Sequence, residues 1–125
     1  MKSTVYFKFE DLLMYQKAID FGESVYRQIK QFPSQEKFRL SSQFIRAADS
    51  IANNIAEGSG DTNAQFNRYL QIAWDSAHEC VVCSTKAYLR KYIDVNQNEK
   101  NRKDIQELSK MITSYKKYLR KKNKH

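Results

Sequence analysis

Breakers are scarce in this chain. One proline and three glycines are spread over 125 residues. A chain so poor in them cannot turn often enough to build a sandwich of short strands, and long helices are what remains. Pro33, the pair Gly58/Gly60 and the polar run at residues 94–98 divide it into four segments. In each, apolar residues recur at helical rather than alternating spacing.

The spacing predicts helices over residues 10–32, 34–57, 63–93 and 97–122, each roughly 30–45 Å long at 1.5 Å per residue. The first carries the stripe Leu12, Tyr15, Ile19, Gly22, Tyr26 and Ile29, with Gly22 expected at a close helix crossing. The second turns Leu40, Phe44, Ala47, Ala48, Ile51 and Ile55 inward, its first turn being separable from the rest. The third carries Phe66, Leu70, Ala73, Ala77, Cys80, Ser84 and Ala87, and Thr62 with Gln65 has capping-box spacing at its start. The fourth carries Ile105, Leu108, Ile112, Tyr115 and Leu119, with Asn96 and Glu99 as N-cap and N3. Short connections make sequence neighbours antiparallel. The expected fold is an all-α, up-down-up-down four-helix bundle. It would form one domain over residues 1–125, with a short arm at residues 1–9 and a basic helix at 97–122.

No apolar run reaches the ~20 residues of a membrane span. The opening MKSTVYFKFEDLL has no apolar signal-peptide centre, so a reducing cytoplasm is the expected location. The net charge is +8, unevenly placed. Residues 99–125 hold ten Lys or Arg against three Asp or Glu, whereas the first 98 residues hold twelve against eleven. Positive charge is therefore a property of the last helix.

Residues 50–60, SIANNIAEGSG, concentrate polar groups on a helical stripe. Gly58 is placed where a helix takes a left-handed C′ residue. Glu57 is wrongly signed for a helix C-terminus, so a nearby donor or helix N-terminus is expected to compensate it. A local capping role for Asn53, Asn54 and Glu57 stands beside a role of Asn54 and Glu57 in contacting a partner chain or nucleic acid.

At these residues a family resemblance becomes specific. RAADSIANNIAEG, residues 46–58, resembles the signature of the 23S rRNA-intervening sequence protein family, R-A-A-x-S-I-x-x-N-I-A-E-G. Arg46, Ser50, Asn54, Glu57 and Gly58 fall on its positions. Upstream, Phe32-Pro33, Glu36, Leu40 and Gln43 are similar to the family's F-P-x-x-E-x-x-x-L-x-x-Q. Downstream, Phe66, Leu70, Ile72-Ala73, Ser76 and Glu79 are similar to F-x-x-x-L-x-I-A-x-x-S-x-x-E. Ile45, Arg39 and Tyr15 depart from it, standing where Arg, Gly and Trp are common. The resemblance implies a small antiparallel bundle assembled as a homopentamer. A similar fold serves as the RNA-binding accessory protein of diversity-generating retroelements, which brings in a reverse transcriptase as a protein partner.

Other constellations carry less chemistry. Cys80 and Cys83 have C-x-x-C spacing with His78 nearby, yet zinc needs about four ligands and no second pair exists. A redox pair wants a helix N-terminus, and this one lies mid-helix, so core thiols are expected. Trp74 lies one position off its stripe. Together with Val81 and Tyr88 it makes either a subunit contact or a widened core stripe. The tail YKKYLRKKNKH crowds Lys116, Lys117, Arg120, Lys121, Lys122 and Lys124 into its last turns, with Lys110 upstream. It is either a solvated helix end or a phosphate-binding surface, with Tyr115 and Tyr118 available for stacking. No phosphate loop, nucleophile with a base, metal cluster or cofactor motif appears, so no catalytic residue is expected. The expected function is non-catalytic binding of structured RNA through the last helix. The alternative is a homo-oligomeric scaffold that holds a protein partner through outward aromatics and the Asn54/Glu57 end.

Overall fold

The computed structural model describes residues 3–122. Four helices run through them: α1 (Leu13–Ile29), α2 (Leu40–Ser59), α3 (Asn63–Leu89) and α4 (Val95–Lys122). Short 3-10 turns at Lys8–Asp11 and Ser34–Glu36 precede α1 and α2, and no strand occurs among the described residues. Each helix packs on its sequence neighbour, and α1 closes lightly onto α4. This is the antiparallel up-down-up-down bundle. No helix among the described residues is long and apolar enough to cross a membrane.

The inward faces of α2, α3 and α4 follow the expected stripes. Phe44, Ile51, Ile55, Leu70, Ala77, Cys80, Ile105, Leu108 and Ile112 are all buried. α1 is rotated from its expected stripe. It buries Met14, Ala18, Phe21, Gly22, Val25 and Gln28, while Ile19 and Tyr26 are exposed. Its single apolar face is wide, running from Phe21 and Met14 round to Ile19 and Tyr26, and packing buries one edge and the centre of that face while the Ile19/Tyr26 edge stays in solvent. A Cβ on Gly22 would meet only Asp49 Oδ1, at 3.4 Å, so the crossing there leaves room for a side chain.

The helix ends correct three expectations. α2 runs through Gly58 to Ser59, and no glycine among the described residues has positive φ. Gly58 is needed for close approach instead. A Cβ there would lie 2.6 Å from Tyr69 Cβ and 2.9 Å from Phe66 Cδ1, both on α3. The left-handed residue is Lys91, at φ 66°. There the Lys91 and Tyr92 amides donate to the Tyr88 and Ala87 carbonyls at 3.0 and 2.8 Å, which is the Schellman pattern with lysine where glycine is usual. α4 begins sooner than residue 97, and its cap is Asp94 rather than Asn96. Asp94 Oδ1 accepts from the Gln97 amide at 2.8 Å.

A buried polar network fixes the register of three helices. Asn101 of α4 exchanges two 2.9 Å hydrogen bonds with Gln28 of α1 and donates to Ser84 Oγ of α3 at 2.9 Å. Ser84 Oγ donates in turn to Asn98 Oδ1 at 2.8 Å. No buried side-chain polar atom among the described residues is left without a partner. At the same end Glu36 accepts from Tyr92 Oη at 2.7 Å and from Arg90 Nη1 at 3.1 Å, fastening the α1–α2 connection to the end of α3.

Candidate functional site

The expected basic residues lie on α4, and the helix sorts them into two rows. Lys110 and Lys117 stand seven residues apart with Lys103 before them, so the three form one exposed ridge spaced ~10.5 Å along the axis. Lys121, four residues past Lys117, continues this ridge, whereas the exposed Lys122 is turned away from it, toward Tyr118. Arg102, Lys116 and Arg120 line the side of α4 that meets α3. Arg102 Nη1 donates to Thr85 Oγ1 at 2.9 Å, and Lys116 Nζ donates to Gln71 Oε1. Beyond Glu107 the rest of the chain contains no carboxylate side chain, and none of these cations makes an ion pair among the described residues. Lys124 lies outside the described residues.

Between α3 and α4 runs an open groove of about 760 Å³, walled by Trp74, His78 and Val81 on one side and by Arg102, Lys103, Gln106 and Lys110 on the other. A smaller notch of about 230 Å³, shared with Trp74, is lined by Gln71, Thr113, Lys116 and Arg120. Trp74 and Val81 pack partly against the core and form the groove wall, whereas Tyr88 is exposed. The tail tyrosines are partly engaged. Tyr115 packs on Phe66 at 5.5 Å and meets Tyr118 edge-on at 5.3 Å, and Lys122 Nζ lies 5.3 Å from the Tyr118 ring centroid.

The motif residues of α2 divide by role. Asn54 Nδ2 donates to Ser50 O at 2.8 Å and to Ser50 Oγ at 2.9 Å. Ser76 Oγ donates to Ser50 Oγ at 2.9 Å, joining α2 to α3. These bonds are structural. Glu57 is exposed and has no hydrogen bond or ion pair among the described residues, so no side-chain or backbone donor compensates it there. Glu79 is exposed on the outer face of α3. Arg46 Nε donates to Ser42 O at 3.3 Å, and with Arg39, Lys86 and Arg90 it lines a recess of about 430 Å³ beside Glu36. The Tyr92 hydrogen bond, then the Leu40 amide and the Arg90 charge, hold the Glu36 carboxyl below its usual range.

Cys80 and Cys83 are buried free thiols. Burial above all raises both, Cys83 to about 11 and Cys80 further, so neither is a ready thiolate. Among the described residues no group of three His, Cys, Asp or Glu converges as metal ligands do. Three groove residues were not anticipated as site residues: His78, Arg102 and Lys103. The sequence signals that mark them are the four-residue spacing of Trp74 and His78 and the seven-residue spacing of the lysines.

No curated protein matches this chain. A solved structure from Bacteroides thetaiotaomicron VPI-5482, a protein of unknown function from the S23 ribosomal protein family, superimposes with a TM-score of 0.78. It shares 27% identity, over 84% of this chain and 96% of that one. The 23S rRNA-intervening sequence protein family matches at residues 10–114, which takes in α1 to α3 and most of α4. The chain therefore belongs to the 23S rRNA-intervening sequence protein family.

Proposed function

We propose that this protein binds structured RNA without catalysing a reaction on it, through the basic face of α4. One observation carries the reading: the cations from Lys110 to Lys122 sit on a rigid helix without a carboxylate among them. Such a row attracts a polyanion through its phosphates and releases counterions, with no need to read bases. Membership of a family described by 23S rRNA-intervening sequences supports RNA as that polyanion, and a cytoplasmic location goes with it. Replacing Lys116, Lys117, Lys121 and Lys122 with Gln tests the proposal. The variant is expected to lose binding of an RNA hairpin while its helical circular dichroism is unchanged. Binding equal to that of the unsubstituted protein overturns the reading.

A second reading, a homo-oligomeric scaffold that holds a protein partner such as a reverse transcriptase, has its own support. Phe38 and Leu89 are 87% and 70% exposed, and Ile19 and Tyr26 leave apolar surface on α1. Surface of this kind marks interfaces, with a second copy of the chain as one partner. This reading predicts that partner capture survives truncation of the basic tail and that the purified protein carries no nucleic acid.

A further inference from the structure

Trp74 and His78 lie one turn apart on α3, their ring centroids 3.8 Å apart and their planes inclined by 30°. His78 Nδ1 is bonded to the Trp74 carbonyl oxygen at 2.9 Å, which fixes the imidazole in place. The His78 side chain is exposed, and its Nε2 has no partner among the described residues. The pair stands in the groove wall facing Arg102, Lys103 and Lys110, with Glu99 as the one carboxylate on the lining. On the other side of Trp74, the notch adds Lys116 and Arg120. The two rings stack on each other, so the open π face is the outer one of the exposed His78, backed by the half-buried Trp74, and cations flank it along the groove.

A fully paired RNA helix offers such a groove only its phosphates, because its bases are stacked on one another. An unpaired strand offers both parts at once, phosphates for the cations and a free base face for the aromatic pair. We propose that the α3/α4 groove holds an unpaired nucleobase of an RNA strand, stacked on the outer face of His78 with Trp74 behind it, with the flanking phosphates on Lys103 and Lys110 and on Lys116 and Arg120. This rests on the RNA reading above and adds to it the kind of segment bound, a loop, bulge or single-stranded end.

Trp74 is the chain's one tryptophan, so its emission reports on this groove and the notch beside it. The probes are a short oligouridylate, a blunt RNA duplex and inorganic polyphosphate. All three are expected to bind at low salt, but only oligouridylate quenches the tryptophan emission. His78→Ala, at an exposed position, is expected to weaken oligouridylate binding about tenfold while leaving duplex binding unchanged. If oligouridylate binds without quenching, or His78→Ala binds it as tightly as the unsubstituted protein, the groove proposal fails and the RNA reading stands. If none of the probes binds, the RNA reading fails and carries the proposal with it. An emission shift that follows protein concentration, with association seen by sedimentation and no response to RNA, shows the groove closed by a second copy and overturns the proposal.

Discussion

Replacing Gly58 separates two reasons for a glycine at a helix end. A Cβ at this position would lie 2.6 Å from Tyr69 Cβ, 2.9 Å from Phe66 Cδ1 and 3.1 Å from Tyr69 Cγ. Non-bonded carbons rest at about 3.5–4.0 Å, so the nearest contact is short by about 1 Å. The Phe66 ring edge can turn a little, but Tyr69 Cβ is fixed to the α3 backbone, and α2 must move away from α3. Overpacking of this kind costs about 1–3 kcal/mol. Alanine's better helix propensity returns at most ~1 kcal/mol, and less near a helix end. Gly58→Ala should therefore lose about 1 kcal/mol, a fall of roughly 3–4 °C in Tm for a chain of this size. Gly58→Asn, with a larger side chain, should lose more. A left-handed C′ glycine would give the opposite order, because asparagine tolerates that conformation and alanine does not. Gly60→Ala is the control, since nothing among the described residues lies within 4 Å of its Cβ position. Thermal and urea unfolding followed by circular dichroism rank the variants. A Gly58→Ala protein as stable as the original, or an Asn variant more stable than the Ala one, refutes the close-approach argument.

Lys91→Gly should raise stability by about 1 kcal/mol, because a left-handed non-glycine residue costs roughly 1–2 kcal/mol, partly offset by glycine's greater unfolded freedom; urea unfolding measures it. Asn101→Leu should lower stability by about 1–3 kcal/mol, since the buried Gln28 amide oxygen is left unpaired and Ser84 keeps only its bond to Asn98; a neutral result in urea unfolding counts against the network. Tyr92→Phe should let the Glu36 carboxyl rise toward its usual range, as a carboxyl NMR titration would show. A depressed carboxyl stabilises the fold above its unfolded pKa, and that contribution fades as pH falls through the folded value. The stability gap between Tyr92→Phe and the original protein should accordingly be present at neutral pH and shrink in acid.

The bundle was legible because breakers are few and because apolar residues recur at helical spacing in every segment. On α1 the apolar face is wider than the strip that packing buries, and Ile19 and Tyr26 on one edge look as well placed for burial as Phe21 and Val25 on the other. Only the packing partner decides between them. Asn101 was not legible as a core residue. Its partners lie 73 and 17 residues away, and the fold alone brings Gln28 and Ser84 to it. Gly58 and Lys91 show the limit of residue-type rules. Glycine marks close approach as readily as a left-handed turn, and the actual left-handed turn is held by a lysine whose neighbour Tyr92 is tied to Glu36. Among the site residues, the cations of α4 were visible as composition. The groove was not, because Trp74 and His78 come from one helix and Arg102, Lys103 and Lys110 from another.

The central claim is that uncompensated charge on α4 holds RNA through its phosphates, and the salt dependence of hairpin affinity measures this most directly. The account predicts that log affinity falls linearly with log salt concentration, and that the slope flattens by about 0.7–0.9 for each phosphate-contacting lysine replaced by glutamine. An affinity that stays level from low to high salt, or a slope indifferent to those four lysines, contradicts it.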